Sequence, residues 1–154
     1  MVAEIIQNAV SGDLRYEMFA ITEGDFTFDE DMWMIYTTTS NHMTPYVKFF
    51  TTLDRTHRAP VVLIDGSTIM AEGRGDVRVV TEDGEMTIKD VLYVPEIDRN
   101  VLSAGQMGSL GYSLAIGGGK CSIEDDDGNV FGEAMWEERG FSLRYQVIEG
   151  NFTA

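Results

Sequence analysis

Residues 61–71 read Val61-Val62-Leu63-Ile64-Asp65-Gly66-Ser67-Thr68-Ile69-Met70-Ala71, in which two short apolar runs flank an Asp-Gly pair. Because glycine adopts positive φ without steric cost, Asp-Gly between two such runs is a strong local signal of a β-hairpin. Asp83-Gly84 and Asp127-Gly128 stand in the same position between other apolar or alternating runs. The sequence therefore predicts three hairpins within an all-β domain.

The chain from Met32 onward repeats this pattern of short runs separated by turn residues. Strands are predicted at residues 33–37, 61–64, 68–71, 76–81, 85–88, 111–116, 120–124, 130–136 and 141–148. Helix is scarce. Thr44 followed by Pro45 predicts the start of a short helix that runs through Phe50, and a second short helix is predicted over residues 101–110.

Composition and charge narrow the possible partners. The 154 residues are 44% hydrophobic, which suits one ordinary core, and 11 Lys and Arg face 26 Asp and Glu for a formal charge of -15. Phosphate backbones are bound by clustered cations, so we expect no nucleic-acid partner. A single cysteine, Cys121, and the lack of a long apolar run predict a cytoplasmic or nuclear protein outside the membrane.

The residue types give little support for a cofactor or a nucleophilic enzyme. His42, His57 and Cys121 are too few and too scattered for zinc, and we predict no metal and no cofactor. Ser40 and His42 are close in sequence, but no nucleophile-elbow motif accompanies them. No Asp-Ser-Gly or Asp-Thr-Gly triplet, the signature of aspartic proteases, occurs in the chain.

A set of motifs follows in unbroken order over residues 33–132. The set begins with Trp33-Met34-Ile35-Tyr36-Thr37-Thr38-Thr39-Ser40-Asn41-His42-Met43-Thr44, Phe49-Phe50, Val61-Val62-Leu63-Ile64-Asp65-Gly66-Ser67, Gly73-Arg74-Gly75-Asp76-Val77, Ile88-Lys89-Asp90-Val91-Leu92-Tyr93-Val94-Pro95 and Asn100-Val101-Leu102-Ser103. It continues with Gln106-Met107, Leu110-Gly111-Tyr112-Ser113, Gly119-Lys120-Cys121-Ser122-Ile123 and Asp127-Gly128. These motifs resemble the protease domain of copia-type LTR retrotransposon polyproteins. The corresponding segments of that family read W-I-x-D-S-G-A-T-x-H-M-T, V-x-L-x-D-G-S, G-x-G-x-V and L-K-D-V-L-Y-V-P-x-x-x-x-N-L-L-S.

The resemblance implies a fold and a division of the chain. It implies a retropepsin-like (acid protease) β-barrel with one or two short helices over residues 32–148. Residues 1–31 would form an acidic N-terminal arm or linker, and residues 149–154 a C-terminal tail. The chain would be either an excised polyprotein segment or a free-standing gene derived from a domesticated element.

The resemblance also places Tyr36 where the family has its catalytic aspartate. A retropepsin-type protease takes one aspartate from each subunit so that two carboxylates share a proton and activate water. A phenol does not ionise near neutral pH and cannot replace either carboxylate. Thr38 replaces the glycine of the triplet with a β-branched residue, while Thr37 keeps the hydroxyl of the second position.

We therefore expect a catalytically inactive domain that binds a protein or peptide, as a homodimer or as a heterodimer with a related active protease. Candidate binding or dimer residues are Trp33, Tyr36, Thr37, Thr38, Thr39 and His42, although His42 is also expected to serve the packing. Two alternatives remain open. One is an aspartic endopeptidase that recruits Asp31 or Asp65, and the other is an acidic inhibitor or nucleic-acid mimic that binds a basic partner.

Overall fold

A computed structural model describes residues 15–16, 28–81, 84–137 and 140–154. Most of the acidic arm predicted over residues 1–31 lies outside the described residues. The described chain is all-β and barrel-like, and it contains one short α-helix and a single turn of 3₁₀ helix. The predicted fold class is therefore confirmed.

The strands follow one another closely along the chain. They are β1 (Arg15–Tyr16), β2 (Met32–Tyr36), β3 (Met43–Thr44), β4 (Phe50–Asp54), β5 (Ala59–Val62), β6 (Thr68–Ala71), β7 (Gly73–Thr81), β8 (Gly84–Tyr93), β9 (Asn100–Ser103), β10 (Ser113–Gly117), β11 (Lys120–Glu124), β12 (Val130–Glu137), β13 (Gly140–Arg144) and β14 (Gln146–Ile148). The 3₁₀ helix is Val47–Phe49, and the α-helix α1 is Ala104–Ser109.

Two sheets contain these strands. The larger sheet has the order β10-β11-β12-β13-β2-β9-β3-β8-β7-β14, and β4 also pairs with β7. The smaller sheet has the order β1-β5-β6. Most neighbours are antiparallel, but three pairs are parallel: β1 with β5, β2 with β9, and β3 with β8. These parallel pairs bring together segments that are far apart in sequence.

The predicted hairpins form where the Asp-Gly pairs stand. The β5–β6 turn contains Gly66 at φ 86°, and the β11–β12 turn contains Gly128 at φ 83°. Strands β7 and β8 pair up to Thr81 opposite Gly84, although Asp83 itself lies outside the described residues. All three strand pairs are thus confirmed.

The two helix predictions need correction. Thr44 does not cap a helix over residues 44–50, because it belongs to β3 and its Oγ1 donates to Asn100 Oδ1 at 2.6 Å. Only Val47–Phe49 is helical, and Phe50 already begins β4. The helix predicted over residues 101–110 is shortened to α1, because its first residues form β9.

The strand predicted over residues 141–148 is two strands. Strand β13 pairs with β2, whereas β14 pairs with β7, so the chain passes from one part of the sheet to another at Tyr145. Tyr145 is buried, and its hydroxyl donates to the carbonyl of Phe131 at 2.6 Å. Strands β1, β3, β4 and β9 were not predicted.

Three groups of buried side chains form the interior. The largest surrounds Trp33, Phe49 and Phe50 and extends under β7, β8, β11 and β12. A second lies between the β5–β6 hairpin and strands β8 and β9, and a third, smaller group contains Phe28, Met32 and Met34. Tyr36 packs at the edge of both smaller groups. No helix in the described part of the chain is long and apolar enough to cross a membrane.

Gly75 is required where β4 crosses close to β7. A Cβ added to Gly75 would lie 1.8 Å from the carbonyl oxygen of Thr52, so the two backbones would have to separate. We expect Gly75→Ala to lower the free energy of unfolding by about 2 kcal/mol, measured by urea unfolding. Gly108→Ala in α1 is the matched control, because its Cβ would meet open space. Equal effects of the two substitutions would contradict the expected clash.

Candidate functional site

The site predicted around residues 36–44 lies where three of the quoted motifs meet. Strand β2 pairs along its length with β9, from Trp33 opposite Asn100 to Tyr36 opposite Ser103. Strand β3 fits between β8 and β9, since Met43 faces Leu92 on one side and Val101 on the other. The loop of residues 37–42 therefore connects two strands that both contact β9.

Tyr36 is the last residue of β2, and its hydroxyl contacts the buried guanidinium of Arg99. Arg99 Nη1 donates to the Tyr36 hydroxyl oxygen at 2.7 Å. Arg99 Nε and Nη2 donate to the two carboxylate oxygens of Asp98 at 2.8 and 3.2 Å. The guanidinium carbon also lies 4.3 Å from the centre of the Phe28 ring, a cation–π contact. We call these four residues the Tyr36–Arg99 cluster.

The cluster keeps Arg99 charged although only 7% of its side chain is exposed. Burial lowers the pKa of Arg99, but the hydrogen bonds and charges of Asp98 and Tyr36 outweigh that effect and leave the pKa above its ordinary value. Asp98 is more accessible, with 23% of its side chain exposed. Tyr36 thus contributes a hydrogen bond to a buried charge, which is a structural role for this position.

Removing the phenol hydroxyl should weaken this cluster. We expect Tyr36→Phe to lower the free energy of unfolding by about 1–2 kcal/mol, because a buried guanidinium loses a hydrogen bond. Tyr112→Phe is the matched control, since among the described residues its ring packs against Phe131 and its hydroxyl has no hydrogen bond. Thermal and urea unfolding of both variants would test the difference, and a stabilised Tyr36→Phe variant would refute it.

The loop after Tyr36 is partly exposed and partly fixed. Thr37 is exposed and Thr38 half-buried, whereas Thr39 is only 4% exposed. Ser103 Oγ donates to the Thr39 carbonyl at 2.8 Å and accepts from Gln106 N at 3.1 Å, where it caps α1. The loop is therefore attached to the start of the helix.

His42 is buried at the end of this loop. Its Nδ1 accepts from the backbone N–H of Ser103 at 2.9 Å, so the ring proton is on Nε2. The backbone N–H of His42 donates to Gln106 Oε1 at 2.8 Å, and its backbone carbonyl accepts from Leu92 N at 2.9 Å. Burial lowers the pKa of His42 to about 4, an effect that the charge of Asp90 partly offsets. His42 is neutral at physiological pH and joins β3, β8 and β9.

Asn100 is a second buried polar link. Its Nδ2 donates to the carbonyls of Glu30 and Met32 at 2.8 and 2.9 Å, and its Oδ1 accepts from Thr44 Oγ1 at 2.6 Å. Sequence reasoning quoted Asn100 as part of a motif but assigned it no role. It assigned none to Arg99 or Asp98 either, because no local pattern shows that they contact Tyr36.

The remaining predicted site residues are not brought together. Trp33 is fully buried beside Phe49 and Tyr145, so its side chain is not presented to a partner, and the same holds for Thr39. Asp31 precedes β2, where it forms an ion pair with Arg144. Asp65 lies in the β5–β6 turn and accepts hydrogen bonds from Ser67, which lower its pKa. Asp31 thus adjoins a strand of the larger sheet, whereas Asp65 is in a turn of the smaller sheet.

Metal-ligating side chains are also dispersed. Cys121 is buried in the main core, and burial raises the pKa of its thiol. Within residues 28–81, 84–137 and 140–154, together with Arg15–Tyr16, no three His, Cys, Asp or Glu side chains are arranged to hold a metal ion. At the β11–β12 tip, Asp125 accepts hydrogen bonds from the backbone N–H groups of Asp127 and Asn129, both at 2.9 Å.

Comparison with protein families identifies the origin of this arrangement. The family model described as "Pol polyprotein, beta-barrel domain" matches residues 33–112, slightly more than half of the chain. This chain is a member of the Pol polyprotein β-barrel domain family. The matched range begins at Trp33 and ends just before β10, so it includes His42, Asn100 and three members of the cluster, Tyr36, Asp98 and Arg99, whereas Phe28 precedes it. Searches among curated proteins and among solved structures gave no match.

Membership gives the domain a retroelement polyprotein origin. The family match covers β2 through α1, whereas β10–β14 lie beyond it. Strand β13 nevertheless pairs with β2 inside the matched range. The later strands are thus part of the same larger sheet as the Pol polyprotein β-barrel segment.

Proposed function

We propose that this Pol polyprotein β-barrel domain is a retropepsin-like domain of copia-type ancestry that has lost catalysis and acts by binding protein. The observation that supports this proposal is the Tyr36–Arg99 hydrogen bond of 2.7 Å. The position that the copia resemblance assigns to a catalytic aspartate holds a phenol, and that phenol is committed to a structural cation. Neither group can act as the shared-proton acid that peptide hydrolysis requires.

The surrounding charges support the same conclusion. Asp98 is the carboxylate of the Tyr36–Arg99 cluster, and both of its oxygens accept hydrogen bonds from Arg99. One guanidinium therefore engages both oxygens of this carboxylate, whereas an aspartic-protease dyad needs two carboxylates that share a proton. The alternative acids, Asp31 and Asp65, interact with Arg144 and Ser67 respectively. An endopeptidase built on either acid is therefore disfavoured.

The proposed binding role depends on the exposed residues of the loop that follows Tyr36. Thr37 and Ser40 are exposed at the loop that would face the cleft of a retropepsin-like dimer. Many proteins with β-sheets bind extended peptides through main-chain hydrogen bonds, and this mode of binding does not need a catalytic acid. We propose a peptide or a related protease subunit as the partner. Pairing with an active copia-type subunit would leave that dimer with one catalytic aspartate instead of two.

A cleavage assay tests the loss of catalysis. The full chain is incubated with an unstructured protein substrate between pH 4 and pH 7, with and without a pepstatin-type inhibitor. We expect no inhibitor-sensitive cleavage, and no difference between the wild type and Asp31→Asn or Asp65→Asn. Pepstatin-sensitive cleavage that either substitution abolishes would restore the endopeptidase alternative.

Co-expression tests the binding role. The chain is expressed with an active copia-type protease, and precursor processing and co-purification are measured. We expect a heterodimer and slower processing. Thr37→Lys is expected to weaken both, because it places a charge at the exposed loop, while Thr68→Lys on the exposed end of β6 is the control. Undiminished processing without a heterodimer would refute interference.

A further inference from the structure

The strand β10 forms one end of the larger sheet, and its outer edge is open. It pairs with β11 from Ser113 opposite Glu124 to Gly117 opposite Lys120, and no other described strand pairs with it. Four of its five residues are exposed, including Ile116, whose exposed fraction is 63%. An open strand edge presents unpaired backbone groups that can bind another strand.

The composition of β10 is unusual for an open edge. Proteins commonly protect such edges with charged residues or proline. Residues 111–119 read Gly-Tyr-Ser-Leu-Ala-Ile-Gly-Gly-Gly and contain neither, although 24% of the whole chain is charged. A chain with a net charge of -15 repels its own copies, so a contact between two copies needs a neutral surface. The edge of β10 is such a surface.

We infer that two copies of this chain associate by antiparallel pairing of their β10 strands, which joins their sheets across a two-fold axis. Such an interface is isologous, so residues must match in reciprocal pairs. Centring the five-residue strand on Ala115 sets the two Ala115 residues opposite each other. Ile116 of each copy then lies opposite Leu114 of the other.

Side-chain direction agrees with this register. Within one copy, Leu114 lies opposite Ile123 and Ile116 lies opposite Cys121, so both side chains are on the core-facing side of β11. Pairing therefore places apolar side chains of the two copies beside one another on a single face. Trp136, with 61% of its surface exposed, lies on this same face, two residues beyond Ala134, the partner of Cys121.

Charge complementarity favours a second copy as the occupant. Asp126 lies against Gly111, since a Cβ on Gly111 would be 2.8 Å from Asp126 Oδ2. In the register centred on Ala115, the pairing ends with Ser113 opposite Gly117 of the second copy. Gly111 and Asp126 lie beyond this end, on the side where the second copy turns from β10 to Lys120 at the start of β11. Lys120 is 52% exposed and at present has only a long 3.6 Å ion pair with Glu133 among the described contacts. The two-fold axis therefore places Lys120 of each copy at the same end of the joined strands as Asp126 of the other, so opposite charges are near each other at both ends.

Sedimentation velocity of the full chain over a range of concentrations tests the inference. We expect a monomer–dimer equilibrium, and we expect Ile116→Lys to raise the dimer dissociation constant at least about tenfold, because each substitution acts twice across the axis. Val80→Lys is the matched control: Val80 is 39% exposed but lies on β7, which is paired on both sides. Its dissociation constant should not change.

Cross-linking tests the register independently. We expect Ala115→Cys to form an intermolecular disulfide under mild oxidation, whereas Ser109→Cys, exposed on α1, should not. The native Cys121 is 1% exposed and should not react in the folded chain. Any of three results would overturn the inference. The wild type could stay monomeric at high concentration, the Ile116→Lys variant could dimerise as well as the wild type, or the Ala115→Cys variant could fail to cross-link. None of these outcomes depends on the cleavage or co-expression results.

Discussion

Replacing Asn100 with aspartate is expected to lower the free energy of unfolding by about 3–5 kcal/mol at neutral pH. The Asn100 side chain has no exposed surface, and its Nδ2 donates to two backbone carbonyls. A carboxylate has the same shape but only acceptor atoms, so it would face the carbonyl oxygens of Glu30 and Met32 without a proton between them. Urea unfolding at neutral pH measures the loss.

Two comparisons separate this effect from a general effect of added charge. Asn151→Asp adds the same charge at an exposed position and should change stability by less than about 0.5 kcal/mol. Acidification should restore part of the stability of Asn100→Asp, because a protonated carboxyl can donate to one of the two carbonyls. An Asn100→Asp variant as stable as the Asn151→Asp variant would show that Asn100 does not bridge β9 to Glu30 and Met32.

Acid is expected to destabilise the domain through His42 by about 3 kcal/mol. The ordinary pKa of 6.5 applies in the unfolded chain, whereas burial lowers the pKa to about 4 in the folded chain. Between these values the unfolded chain binds a proton that the folded chain does not. The contribution of neutral His42 to the free energy of unfolding is therefore fully present above pH 6.5 and falls as the pH approaches 4. The gap between the two pKa values corresponds to about 3 kcal/mol.

Unfolding by urea at several pH values between 7 and 4 would measure this dependence. His42→Gln should be less stable at pH 7, because it loses the hydrogen bond from Ser103, but its stability should change much less with pH over the same range. His57→Gln is the control and should keep the wild-type pH dependence. A His42 ring whose NMR signals titrate near pH 6.5 in the folded chain would contradict the expected mechanism.

Local signals in the sequence were sufficient for the hairpins but not for the strands that join distant segments. Asp65-Gly66 and Asp127-Gly128 specify their own turns, since the glycine supplies the positive φ that each turn needs. Strand β9 was read as the start of a helix because its pairing with β2 depends on residues that precede it by more than sixty positions. Thr44 resembled a helix cap, but its hydroxyl bonds to Asn100 across the sheet.

The candidate site was predictable only in part. The motif order placed Tyr36 at the aspartate position and marked His42 as a packing residue, and the structure places both where β2, β3 and β9 meet. Arg99 carries no local signal, because its contact with Tyr36 spans 63 positions in sequence. The order of the motifs is therefore enough to locate a position such as Tyr36. The residues that contact it can be found only when the pairing of distant strands is known.

The position of β2 between β9 and β13 also sets the order of events during synthesis. Its two neighbours end at Ser103 and Arg144, so β2 cannot complete either pairing until those later residues have left the ribosome. Until then the segment Met32–Tyr36, which contains Trp33 and Ile35, has no strand beside it in the larger sheet and is open to contact with other nascent chains. We expect chaperones that recognise short apolar stretches to engage this segment first, and to release it once β13 has been made.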